Sequence, residues 1–322
     1  MTAGLMNSLK SAAVRAKKVV AILLLAFTLP YTLNPLPCLA AGVGTTGASF
    51  LKVGVGAREL ALGSAASVLT EGAGAINWNP GRLAEVKRKS LSASYNLLFI
   101  DESQGSLNCA TPLRGGAGVV GAGINYLTVS DIEKRAGDTD LPDSEFSNIN
   151  TAFTLSYARP EVRPGLALGA NLKYISQKLD TSQDKAIALD LGSTYKLNAA
   201  WTAAFVVQNL GTRIGPDRLP LILKGGAATS FFDGKLAAGA DLDWLVHDER
   251  FYTSLGAEYL PNKNFAFRAG YQFGRGADKL GSGLVGLGVG IGLKSDRFAM
   301  DYAYVPFGDL GDTHRMTLGF NF

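Results

Sequence analysis

Residues 149–157 read INTAFTLSY, and their spacing decides the fold class. Ile149, Thr151, Phe153, Leu155 and Tyr157 fall on one face of an extended chain, and Asn150, Ala152, Thr154 and Ser156 on the other. This is a period of two, the repeat of a β-strand, not the 3.6 of a helix. The pattern recurs from about residue 90 onward. Leu166, Leu168, Ala170, Leu172 and Tyr174 oppose Ala167, Gly169, Asn171 and Lys173. Val285, Leu287, Val289, Ile291 and Leu293 alternate with Gly286, Gly288, Gly290 and Gly292. Met316, Leu318, Phe320 and Phe322 alternate with Arg315, Thr317, Gly319 and Asn321. One face is apolar and aromatic; the other is small, polar or charged.

A soluble sandwich also alternates, so three further features carry the argument. About fourteen segments of roughly 8–14 residues can be counted, close to the roughly 9–11 that a tilted strand needs to cross a bilayer, and an even number is the habit of single-chain bacterial barrels. Their connections alternate in length. Pro112–Gly115, Pro160–Gly165, Asn198–Ala199, Asp233–Gly234, Pro261–Lys263 and Ser295–Asp296 are short, whereas Ser130–Asn148, Gly211–Pro220, Arg275–Gly283 and Pro306–Thr313 are longer. Short periplasmic turns alternating with long outer loops are the asymmetry of an outer-membrane barrel. Finally, the chain stops in alternating apolar residues on Phe322, which resembles the terminal signal that barrel-insertion machinery reads. The expected fold is all-β, an antiparallel transmembrane β-barrel of about 14 strands over residues 90–322. Lipid forces such a sheet to close, because unpaired backbone groups there cost several kcal/mol each. Trp201, Trp244, Phe251, Phe265 and Phe273, near strand ends, are candidates for interfacial girdles.

The N-terminus reads as an export signal. Arg15, Lys17 and Lys18 precede the apolar run Val19–Leu29 (VVAILLLAFTL), too short to span a bilayer but suited to a signal peptide. Small residues Cys38-Leu39-Ala40 follow Pro35 and Pro37, placing cleavage after Ala40. The first 40 residues hold four of the 31 basic residues (Lys10, Arg15, Lys17, Lys18) and none of the 27 acidic ones, leaving 27 of each. The basic balance thus belongs to the signal, and the case for a nucleic-acid partner goes with it. One cysteine, Cys109, would remain, so no internal disulfide is expected.

Residues 41–89 do not alternate. They hold the stretch Arg58–Thr70 (RELALGSAASVLT), read as helix, and Asn79-Pro80-Gly81, a tight turn by local chemistry. Gly47-Ala48-Ser49-Phe50-Leu51-Lys52-Val53-Gly54-Val55-Gly56-Ala57-Arg58, the small residues Leu62-Gly63-Ser64-Ala65, and Trp78-Asn79-Pro80-Gly81-Arg82-Leu83-Ala84 resemble the N-terminal signature of PorV/PorQ-type proteins of the FadL-like barrel superfamily. The close match covers about 40 residues; strand number and topology alone carry the rest. Gly81 stands where Ala is usual, and the upstream acidic pair is reduced to Glu71. The resemblance implies a hatch folded into the lumen from the periplasmic side, with Phe50, Leu51, Gly56, Arg58, Gly63, Trp78, Asn79, Pro80 and Gly81 as its motif residues.

Charges recur on the polar strand face: Lys173, Asp190, Lys224, Asp241, Asp243, Glu258, Arg268, Asp301 and Arg315. They belong in the lumen, since a lone charge facing lipid is costly. Glu258 with Arg268, and Asp301 with Arg315, are expected cross-strand pairs. No catalytic set, metal cluster or cofactor motif emerges. Gly116–Gly121 and Gly281–Gly286 match G-x-G-x-x-G, but both run into strands instead of opening a helix. His247 and His314 lack a nucleophile's context. The implied function is FadL-like transport of hydrophobic or amphipathic solutes, by a non-enzyme in outer-membrane lipid. The alternative is a PorV-like partner subunit of a type IX-like secretion system.

Overall fold

The computed structural model describes residues 44–98, 102–138, 140–275 and 281–322; the expected signal, residues 1–40, lies outside them. Fourteen strands form a closed antiparallel barrel. They are β1 Ser90–Leu97, β2 Glu102–Pro112, β3 Val119–Lys134, β4 Ser144–Arg163, β5 Leu166–Leu179, β6 Ser182–Lys196 and β7 Trp201–Gly211. They continue as β8 Ile222–Phe231, β9 Leu236–Leu245, β10 Arg250–Tyr259, β11 Phe265–Phe273, β12 Leu287–Lys294, β13 Phe298–Pro306 and β14 Asp312–Asn321. Each pairs with its sequence neighbours, and β1 closes on β14 from Ser90 opposite Asn321 to Leu97 opposite His314. Lys89 and Phe322 extend the seam by exchanging backbone hydrogen bonds at 3.1 and 3.0 Å.

The apolar face points out. In β4, Phe153 and Leu155 are 50% and 63% exposed, while Asn150, Thr154 and Ser156 are 4–7% exposed. A soluble protein would bury the opposite set. An exterior of Leu, Ile, Phe and Tyr with a polar interior is the arrangement that lipid selects. Trp244 and Phe251, directly opposite on β9 and β10, stack at 5.6 Å.

Three sequence readings need correction. Ser130–Asn148 is mostly strand: Ile132–Lys134 pairs with Ser144–Phe146 beyond a register shift after Val129. Asp131 takes φ +56 there, and this bulge lets the hairpin run on, leaving Arg135–Asp143 as its tip. The strand read from about residue 284 begins at Leu287; Gly286, at φ +101, turns the chain and sends Val285 inward, where it is 1% exposed. The helix read over Arg58–Thr70 is only α1, Ala57–Ala61, because Gly63 and Ser64 take left-handed φ of 60 and 69 and end it.

Residues 44–89 lie across the barrel interior as α1 and short 3-10 turns at Ser49–Lys52, Gly72–Asn77 and Pro80–Glu85. The connection Gly211–Pro220 folds inward to meet them. Arg213–Ile214 pairs with Asp217–Arg218, Gly47 N–H donates to the Arg218 carbonyl at 3.0 Å, and buried Ile214 and Leu219 pack with Phe50, Leu127 and Ile175.

Glycine makes this close approach feasible. Gly239, Gly256, Gly270 and Gly288 lie opposite one another across β9–β12, forming one row on the inner wall. A Cβ on Gly256 would fall 2.3 Å from the Leu62 carbonyl oxygen; on Gly270, 2.1 Å from the Leu62 carbonyl carbon; on Gly288, 2.0 Å from the Leu60 carbonyl oxygen. A second pair, Gly169 opposite Gly192 on β5 and β6, receives the Pro80 backbone and the Asn79 side chain. Backbone leans on backbone, so neither side can give way cheaply. Replacing Gly270 with Val should lower the unfolding free energy in detergent by at least about 1–3 kcal/mol, the usual cost of overpacking. Gly225→Ala, where a Cβ meets nothing within 4 Å, should leave it unchanged. Urea titration followed by heat-shifted mobility on gels checks both.

Candidate functional site

The N-terminal segment and the inner wall together form the site. At its centre is Asn79-Pro80-Gly81. Proline holds Asn79 in an extended conformation, φ −151 and ψ 104, and the fully buried amide side chain then serves three partners. Oδ1 accepts from Gly81 N–H at 2.9 Å, and Nδ2 donates to the carbonyls of Ser67 at 2.7 Å and Ser193 on β6 at 3.2 Å. Trp78 donates from Nε1 to the Val55 carbonyl at 2.8 Å, and the Lys224 ammonium lies 5.1 Å from its ring centroid. Gly56 takes φ +95, and Ala57 N–H then reaches Thr317 Oγ1 at 2.8 Å. Phe50 is buried in the cluster with Ile214, and Leu51 is half-buried beside it.

All nine charges from the sequence reading are buried on the inner wall. Glu258 receives a two-pronged contact from Arg58 at 2.8 and 3.0 Å and a third from Arg268 at 2.5 Å. Arg268 continues to Asp301 at 2.7 Å, and Arg58 to Glu71 at 3.2 Å. Asp301 therefore pairs with Arg268 and not with Arg315. Neighbouring Glu59 has no cation within ion-pair distance among the described residues; it accepts from Thr70 Oγ1 at 2.9 Å, and burial pushes its carboxyl above the usual range. Asp241 caps the segment by accepting from Ala66 N–H at 2.9 Å, Ser67 N–H at 2.7 Å and Ser67 Oγ at 2.5 Å. Lys224 pairs with Asp243 at 3.1 Å and Lys173 with Asp190 at 2.7 Å.

Sequence reasoning missed the amides around Asp190. Asn171 donates to Asp190 and to the Ile76 carbonyl, both at 2.9 Å. The backbone N–H of Asn209, at φ +61 in the bulge of β7, donates to Asp190 at 2.8 Å. Asn171 stood at an inward position of the alternation, which was the available signal. His314 bonds Tyr302 through Nδ1 at 2.7 Å on the exposed face.

Two cavities flank the segment. The first, about 460 Å³, opens toward the loop end and is walled by Leu51, Val53, Leu60, Trp78, Val285 and Phe307. Its cations Lys52, Lys173 and Lys224 have carboxylate partners. Arg315, 1% exposed, and half-buried Arg275 have none within ion-pair distance among the described residues. Arg315 donates to Thr313 Oγ1 and the Gly54 carbonyl, and Arg275 to Gln272. Buried acceptors Asn125 Oδ1 and Asp243 Oδ1 on the same wall have no donor among the described residues. The second cavity, about 470 Å³, opens at the turn end; Val55 and Asn77 line both.

No protein-family model matches the sequence, and no curated protein matches it. Solved structures do share its fold. The toluene transporter TbuX of Ralstonia pickettii aligns with TM-score 0.57 at 14% identity, over 84% of this chain and 98% of its own. The toluene transporter TodX of Pseudomonas putida aligns at 0.57 and 13%, over 83% and 96%, and a FadL homologue of Pseudomonas aeruginosa at 0.55 and 12%, over 84% and 99%. The class is therefore a closed barrel of fourteen antiparallel strands, similar in fold to these solved structures.

Removing Arg58 strands Glu258 beside a single remaining arginine. Arg58→Ala should cost about 3–5 kcal/mol, the usual penalty for breaking a buried pair, and should open residues 44–89 to protease. Arg58→Lys should recover only part, because an ammonium cannot make the two-pronged contact. Limited proteolysis with urea titration reads both.

Proposed function

We propose that this chain is an outer-membrane transport protein, exported by residues 1–40, that admits hydrophobic or amphipathic solutes past an N-terminal hatch. The observation that carries this reading is the loop-end cavity. Its apolar wall suits a hydrocarbon body, and Arg275, Arg315 and the orphan acceptors of Asn125 and Asp243 sit beside it for a polar end. The fold shared with two toluene transporters supports the same assignment. The loop end faces outward and the short turns face the periplasm. Solute enters the first cavity, and Val55 and Asn77 are the partition it must pass.

The motif that resembles PorV-type secretion partners supports a role in protein export less well. Its residues turn inward: Trp78, Asn79, Pro80 and Gly81 are all buried against the segment or the wall. A partner on the outside could not reach this Trp-Asn-Pro-Gly core of the motif.

Trp78 offers a direct test. With outward-facing Trp201 and Trp244 replaced by Phe, its emission should shift saturably when toluene or a medium-chain carboxylate is added to the purified protein. Val285→Trp, which fills the cavity, should weaken binding at least about tenfold, a loss of about 1.4 kcal/mol. No saturable response to either probe would count against the transport reading.

A further inference from the structure

The turn end carries positive charge that, Lys294 apart, the internal network does not use. Lys87, Arg88 and Lys89 lead into β1. Arg114 lies in the turn after β2, and Arg159 and Arg163 border the turn after β4. Lys196 ends β6, Lys235 follows β8, Lys263 follows β10, and Lys294 and Arg297 flank the turn after β12. All are exposed. Each of the six turns, and the entry to the barrel, thus holds at least one cation. Exposed acids at this rim are few: Glu71, Glu85, Glu161, Asp233 and Asp296, with Glu85 already bound to Arg82 at 2.6 Å. Lys294 reaches Glu71 at 3.1 Å; the other exposed cations of the rim form no ion pair among the described residues.

The opposite rim has the other sign. The β3–β4 hairpin alone exposes Asp131, Glu133, Asp138, Asp143 and Glu145, and its cations are engaged, Lys134 with Asp180 and Arg135 with Glu133, both at 2.7 Å. The asymmetry is between ends of the barrel, not between sectors of its circumference.

Outward-facing aromatics set the depth of the basic rim. Tyr195 precedes Lys196, Phe232 lies near Lys235, Phe265 follows Lys263, and Phe298 follows Arg297. Aromatic girdles sit at the level of the lipid headgroups. The cations beside them are therefore placed at the phosphates, where lysine and arginine attract anionic lipid.

We propose that the turn-end rim binds the phosphate headgroups of anionic phospholipids in the leaflet it faces, selecting them over zwitterionic ones. A ring with a cation at every connection complements an annulus of lipid; a docked protein would draw its charge to one sector. The proposal rests on the membrane-spanning reading and not on transport.

The test uses the full chain reconstituted in nanodiscs of equal phosphatidylglycerol and phosphatidylethanolamine, with retained lipid weighed by native mass spectrometry. Wild type should retain phosphatidylglycerol with roughly threefold or greater preference. Raising salt to about 1 M, where the screening length falls to about 3 Å, should erase the preference without any substitution. A variant with Arg114→Gln, Arg163→Gln, Lys196→Gln, Lys235→Gln, Lys263→Gln and Arg297→Gln should show parity, whereas Lys178→Gln with Lys185→Gln at the loop end should behave as wild type. Equal retention of the two lipids by wild type, or a preference that survives both high salt and the six changes, overturns the proposal. An acidic protein that replaces lipid on the rim also overturns it.

Discussion

Every backbone N–H and C=O in hydrocarbon must find its partner within the protein, and the rest of this molecule depends on that requirement. It makes β1 meet β14, so that the last residue, Phe322, bonds to the backbone of Lys89. Closure then separates two surfaces. Outside, apolar side chains face lipid. Inside, polar side chains face a space that the N-terminal segment enters. The segment brings further backbone donors and acceptors, and the wall answers with Asp241 for Ser67, Asn171 for Ile76, and Thr317 for Ala57.

The interior charges follow from the same geometry. Lys224 lies directly opposite Asp243, and Glu258 directly opposite Arg268, so these pairs come with the strand register. Ladder neighbours stand close enough to neutralise one another without a large entropic cost. Arg58 enters this wall from the segment and turns the Glu258–Arg268–Asp301 chain into a clamp across two parts of the protein. Arg315 and Arg275 stand apart from it. They line the loop-end cavity with no carboxylate partner among the described residues.

Glycine serves different ends in one sequence. Gly286 turns the chain at a φ closed to most residues, whereas the row Gly239–Gly256–Gly270–Gly288 thins the wall where Leu60, Leu62 and Leu69 press on it. Both look alike as letters. Only the second belongs to the meeting of segment and barrel.

The sequence by itself determined the strands, their number, their faces and the short turns, because a two-residue period is a local property that lipid turns inside out. It also placed Lys173, Asp190, Lys224 and Arg268 on the inner face. The bulge at Asp131 and the early end of α1 at Gly63 escaped it, since the first is set by the register with β4 and the second by the backbone of Gly270 and Tyr271 far along the chain. Glu258 with Arg268 was legible as a cross-strand pair, but tertiary structure decided the other charge partners. Asp301 pairs with Arg268 because β11, β12 and β13 are adjacent and Gly292, lying between the two, leaves room for the side chains to touch across it. The motif resemblance implied a segment inside the barrel, but only tertiary structure decided how residues 44–89 seat there: the fit of Leu62 to Gly270, or Pro80 to Gly169, is a contact between backbones that no residue type announces.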